Sequence, residues 1–126
     1  PTNDRMGLRN AVGICSFLQY DDPQTAEILR GITGWDIDED EMRRIAHRGH
    51  TLARLFNNRR GFTPADDVLP PRFQQDLPLN KGLSREFQQQ LVQEYYAFQG
   101  WDTNGVPKPE TLQQLGITED FVSLSS

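Results

Sequence analysis

A single cysteine, Cys15, stands in a chain of 126 residues, and that scarcity excludes an internal disulfide and any metal centre built from this chain's thiols alone. Histidine is almost as rare, with His47 and His50 the only two. No stretch of about 18 apolar residues is present to span a bilayer, and no charged-then-apolar leader opens the chain, so it is expected to be cytoplasmic with no membrane partner. Excess positive charge is lacking too: a net charge of -5 disfavours nucleic acid and anionic surfaces as partners. Period-two alternation, a Gly-rich phosphate loop, a Ser-His-Asp ordering and a Cys-x-x-Cys pair are all missing. The sequence therefore carries neither a strand signature nor a self-contained catalytic constellation. Hydrophobic residues make up only 36% of it, which leaves surface suited to covering by something else.

What the sequence does contain is a succession of capped segments with helical periodicity. They predict an all-α, compact helical domain over residues 1–126, with about four to six helices and one long Pro-rich loop. A first helix is expected from about Asp4 to Asn10. Asp22-Pro23 reads as an N-cap followed by proline at the first helical position. The helix it opens runs to Thr33, with Thr25, Ile28, Leu29 and Ile32 on one face and Gly34 as its stop. Asp38, with Glu41 three residues on, opens the longest helix, whose apolar stripe is Met42, Ile45, Ala46, Gly49, Leu52, Ala53 and Phe56. Gly49 on that stripe implies a close helix crossing. Ser84 caps a further helix in which Phe87, Leu91, Tyr95 and Phe98 repeat at three and four residues, and Pro109 to Leu115 fits a last short helix before Gly116. The connection from Gly61 to Gly82 contains four prolines and is expected to be pinned by Phe62, Leu69 and Phe73.

Several patterns admit a chemical and a structural reading, and the structural one is favoured in each. His47 and His50 are neighbours on a helix surface, but no cysteine or carboxylate adjoins them to complete a metal site. Asp66-Asp67, after Thr63-Pro64, reads as a capped turn rather than as a metal-binding or acid–base dyad. Tyr95-Tyr96 reads as core. Arg54, Arg59 and Arg60 follow the acids Glu39, Asp40 and Glu41 in the order a helix dipole favours, which makes a nucleic-acid stripe unnecessary. The echo of Gly34-Trp35-Asp36 in Gly100-Trp101-Asp102 fits a left-handed helix end, an apolar residue folded back on the last turn, and an Asp that starts a turn.

The densest chemical signal is Asn10-Ala11-Val12-Gly13-Ile14-Cys15. An amide, a glycine and the lone thiol so close together suit a place where backbone and thiolate approach a cofactor whose other ligands lie elsewhere. On these residues alone a buried structural cysteine is the favoured reading, because free cysteine is among the most buried residue types.

From Asn10 to Ile117 the chain resembles the C-terminal helical domain of the tungsten-containing aldehyde ferredoxin oxidoreductases. The most specific match is Asn10 to Cys15, followed by Phe17, which is similar to that family's Asp-x-x-Gly-Leu-Cys element. Supporting matches are Thr33-Gly34-Trp35-Asp36, Leu55-Phe56-Asn57 with Arg60-Gly61-Phe62, and Asp66-Asp67-Val68-Leu69-Pro70 before Arg72-Phe73. Tyr95-Tyr96 leading into Gly100-Trp101-Asp102 and Gly105-Val106-Pro107 completes the set.

The resemblance implies that the full-length enzyme oxidises an aldehyde to a carboxylic acid at tungsten (or molybdenum) held by two pterins, with electrons leaving through a [4Fe-4S] cluster to ferredoxin. It implies that Cys15 is the fourth ligand of that cluster and that Asn10, Gly13 and Ile14 line the pterin. The partners so implied are the preceding domains of the same polypeptide, ferredoxin, and an aldehyde or related small molecule, with a homodimer left open. The chain departs from the family pattern where Asn10 replaces Asp and Ile14 replaces Leu; the first change exchanges a negative charge for an amide that both donates and accepts. The other cluster cysteines and the pocket residues would lie before Pro1. On this reading no cofactor is expected on the isolated domain, which should be catalytically silent. The rival is a free-standing helical interaction module that kept the fold without the redox chemistry.

Overall fold

In the computed structural model, which describes residues 2–15, 17–18, 20–76 and 81–118, the regular secondary structure is helical and is joined by irregular connections. The α-helices are α1 (Thr2–Val12), α2 (Asp22–Thr33), α3 (Glu39–Arg59), α4 (Arg85–Phe98) and α5 (Pro109–Gln114), with one short 3-10 turn at Pro71–Gln74. Among the described residues the only extended pairing is an isolated bridge between Trp101 and Pro107.

Local chemistry sets most of the helix ends. The cap of α2 is Asp21, one residue earlier than the sequence predicts. Its carboxylate accepts from the Gln24 N–H at 2.8 Å while the Gln24 side chain accepts from the Asp21 N–H at 3.0 Å, a reciprocal capping box that outcompetes Asp22. Asp38 caps α3 as expected, accepting from the Glu41 N–H at 2.8 Å, and Ser84 caps α4. α1 runs two residues beyond its predicted end, because the helix stops only where Gly13 supplies a positive φ of 72°.

α3 is the spine. Its first half packs Met42 and Ala46 with Leu8 of α1, Ala26 of α2 and Ile37; its second half packs Leu55 with Leu115 and Ile117 beyond α5. Burying Met42 completely stabilises the fold by roughly 2 kcal/mol. The predicted stripe is only partly right: Gly49, Ala53 and Phe56 face solvent, and a Cβ on Gly49 would meet nothing within 4 Å. The close crossing lies instead at Gly7 of α1, where any Cβ would collide with the His50 ring.

The predicted apolar stripe of α4 points the wrong way for a core. Phe87, Leu91, Tyr95 and Phe98 are each at least 37% exposed, while Gln88, Tyr96 and Gln99 are buried. Polar bonds explain the inversion. His47 of α3 donates to the Gln99 carbonyl at 3.1 Å and Arg54 of α3 to the Tyr96 hydroxyl at 3.1 Å, so this side of α4 is held inward. Phe62, Leu69 and Phe73 are likewise exposed and do not pin the long loop. Part of that connection, residues 77–80 with Pro78, lies outside the described residues. Of the two Gly-Trp-Asp ends, only the second folds back: Trp101 is 5% exposed and Trp35 is 66% exposed.

Candidate cofactor-facing site

The stretch from Asn10 to Cys15 forms the last turn of α1 and the bend that follows it. The Ile14 N–H donates to the Arg9 carbonyl at 3.0 Å and the Gly13 N–H to the Asn10 carbonyl at 3.3 Å, the paired bonds of a helix end that turns through a left-handed residue. Gly13 is required there by its backbone conformation, since a Cβ would find open space. α1 keeps Leu8 and Val12 against α3, so Asn10 at its end lies on the solvent side. Ile14 is half-buried, Cys15 is an exposed free thiol, and Phe17 is 90% exposed. The packed, buried cysteine favoured from these residues alone is therefore not what the fold builds.

The donor set defines what this surface could hold. A thiolate is the ligand iron–sulfur clusters use, but among the described residues no group of three His, Cys, Asp or Glu could hold a metal ion. The residues fit one corner of a cluster whose remaining ligands come from elsewhere. They do not fit a complete centre. The histidine pair adds nothing to it: with its Nε2 on the Gln99 carbonyl, His47 uses that nitrogen as a donor. His50 packs on Gly7.

A second polar constellation, hidden from sequence reasoning, lies at the far end of α3. Arg54, only 7% exposed, donates to the Gly105 carbonyl at 2.7 Å, to Asp67 at 2.6 Å and to the Tyr96 hydroxyl at 3.1 Å. Tyr96 in turn donates to the same Asp67 oxygen. The guanidinium also lies 5.3 Å from the centre of the Trp101 ring. Burial, and then the hydrogen bond to Asp67, push the Tyr96 hydroxyl up to about 12. The Asp66-Asp67 pair is thus divided. Asp66 closes the expected turn by accepting from the Thr63 N–H at 2.8 Å, whereas Asp67 reaches inward to Arg54. Periodicity shows Arg54 only as a cation near a helix end; its partners are remote in sequence. Beside this cluster, Val68, Leu91, Val92 and Tyr95 help to line an open cavity of about 610 Å³.

No helix among the described residues is long and apolar enough to cross a membrane. Comparison with known proteins gives a consistent result. The family model for "Aldehyde ferredoxin oxidoreductase, domains 2 & 3" matches residues 1–117. A tungsten-containing aldehyde ferredoxin oxidoreductase from Pyrococcus furiosus is 33% identical over 94% of this chain and 20% of its own length. A shorter match, 43% identical over 43% of this chain and 9% of the relative, is to the WOR-like subunit of an aliphatic sulfonate oxidoreductase from the same organism. Among solved structures, the active-site complex BamBC of benzoyl coenzyme A reductase, in complex with 1,5-dienoyl-CoA, superposes with a TM-score of 0.77 at 27% identity. That likeness covers 95% of this chain and 19% of the other. The chain thus spans about a fifth of the length of such relatives, and it belongs to the aldehyde ferredoxin oxidoreductase family.

Proposed function

We propose that this chain is the C-terminal helical part of a longer tungstopterin aldehyde:ferredoxin oxidoreductase. In this reading Cys15 supplies one ligand of a [4Fe-4S] cluster, and Asn10, Gly13 and Ile14 form part of the wall against a pterin. The observation that carries it is the open end of α1, where an amide, a left-handed glycine and the lone thiol share one exposed bend. When bound, the tungsten–bis-pterin centre and cluster supply oxidation of an aldehyde to its acid and passage of the electrons to ferredoxin. The residues of this chain bind and orient. Cys15 offers its sulfur as a thiolate, and Asn10 offers one acceptor and two donors to a heterocycle edge. Gly13 brings the main chain round without a side chain in the way, and the half-buried Ile14 anchors the bend to the domain.

A larger polypeptide is also supported by α4, whose outward apolar stripe suits burial against further protein. By itself the domain is then an incomplete half-site without catalytic activity.

The test uses the enzyme expressed from its complete reading frame. Cys15→Ser is expected to damage the four-iron cluster and electron delivery to ferredoxin while leaving most of the tungsten, and Asn10→Ala to perturb the pterin with iron nearly intact. A Cys15→Ser enzyme with an unchanged four-iron spectrum and undiminished ferredoxin-coupled turnover overturns the ligand assignment.

A further inference from the structure

Two arginines of α1 converge on the chain just beyond the Cys15 bend. Arg5 and Arg9, one helical turn apart, each place an Nη2 at 2.6 Å from the Tyr20 carbonyl oxygen, and both donate to it. Bringing two guanidinium groups to one acceptor costs repulsion, and the structure offsets part of that: Arg5 also pairs with Asp22 at 3.0 Å. Arg9 is buried while Tyr20 is exposed, so the bond is shielded from water on the arginine side only. Arg9 acts at both ends of the segment. Its backbone carbonyl receives the Ile14 N–H at 3.0 Å, immediately before Cys15, and its side chain holds Tyr20 on the far side. Between these ties the Leu18 N–H donates to the Cys15 carbonyl at 3.1 Å. The exposed thiol therefore lies between two attachments to one residue of α1, Arg9, and α1 is itself fixed by Leu8 in the core.

We infer that Arg5 and Arg9 are positioning residues for Cys15: clasping the Tyr20 carbonyl, they tie the chain beyond the thiol back to α1 and so help to present the thiol to the cluster. The inference rests on the proposed role of Cys15 as a cluster ligand. The clasp supplies no ligand and moves no proton. With a cluster bound, the clasp would keep the Cys15 sulfur close to the iron it ligates and would thereby slow the loss of that iron.

In the full-length enzyme, the rate at which a ferrous chelator withdraws iron under anaerobic conditions reads that retention directly, without reference to turnover. Groups that hydrogen-bond a metal ligand directly are worth about tenfold or more in retention; acting through the chain at one remove, Arg9→Met is expected to speed iron release by a smaller factor, about threefold or more, with a changed EPR line shape of the reduced cluster. Arg9→Lys, whose ammonium can still donate to the Tyr20 carbonyl, is expected to restore most of the wild-type rate. Arg5→Met, at an exposed position with little part in packing, is expected to shift the rate in the same direction by less, and it keeps the test open should Arg9→Met fail to fold. Wild-type release rates in folded Arg9→Met, or in Arg5→Met where Arg9→Met does not fold, overturn the inference. So does a Lys variant no better than Met. Cys15→Ser run alongside separates the two ideas: if it too leaves the four-iron cluster intact, the ligand assignment has failed. If it destroys the cluster while the folded arginine variants release iron at the wild-type rate, the ligand stands and the clasp is refuted.

Discussion

Arg54→Met removes the guanidinium at the junction of α3, the long loop and α4 while keeping an unbranched, adaptable side chain in its place. Three polar contacts disappear together: the bonds to the Gly105 carbonyl, to Asp67 and to the Tyr96 hydroxyl. Gly105 keeps a donor in the Asn58 amide at 3.1 Å, and Asp67 keeps the Tyr96 hydroxyl, so the uncompensated cost centres on the carboxylate charge. Breaking a buried pair by removing one partner costs about 3–5 kcal/mol, and because the Asp67 side chain is 32% exposed, water recovers some of it. The expected loss is at the lower end, about 3 kcal/mol, equivalent to roughly 12 °C in the melting midpoint of a chain this size. Urea unfolding followed by far-ultraviolet circular dichroism measures it. Neutralising the stranded acid in the Arg54→Met, Asp67→Asn double variant should return about 1–2 kcal/mol of that loss. A single-variant cost below about 1 kcal/mol, or strictly additive losses in the double variant, would refute the view of Arg54 as the tie between these elements.

Tyr96 should give a pH signature at the same junction. Its folded-state pKa is raised from 10.0 to about 12, so the native state retains a proton that the unfolded chain loses. Stability conferred by the neutral hydroxyl is full below pH 10.0 and falls as pH rises to about 12, by roughly 2–3 kcal/mol in total. Tyr96→Phe should flatten that alkaline slope in pH-dependent urea titrations. Gly7→Ala should cost about 1–3 kcal/mol by overpacking, because the new methyl meets the His50 ring, and removing the ring in Gly7→Ala, His50→Ala should recover part of it in thermal melts. Leu91→Ser on the outward face of α4 should stay within about 0.5 kcal/mol in the 126-residue chain. In the full-length enzyme it should lower the thermal midpoint; equal shifts in both would count against that face being covered there.

The sequence by itself determined what is decided over a few residues: helices bounded by Asp38, Ser84, Pro109 and the left-handed glycines, and an all-α class. Caps, prolines and glycine turns act on neighbouring backbone groups, so their energetics are written locally. The Asn10 to Cys15 element was legible for the same reason, being contiguous. Tertiary structure alone decided which face of α4 turned inward. The apolar periodicity of α4 is real, yet this face points out, because bonds from His47 to the Gln99 carbonyl and from Arg54 to Tyr96 hold the other side against α3. It also decided that the close crossing falls on Gly7 where Gly49 was expected, that Asp67 parts company with Asp66 to meet Arg54, and that two arginines of α1 close on Tyr20. Each of these joins groups distant along the chain, where local pattern is silent and only the balance of packing, desolvation and hydrogen bonding in the assembled fold selects a partner.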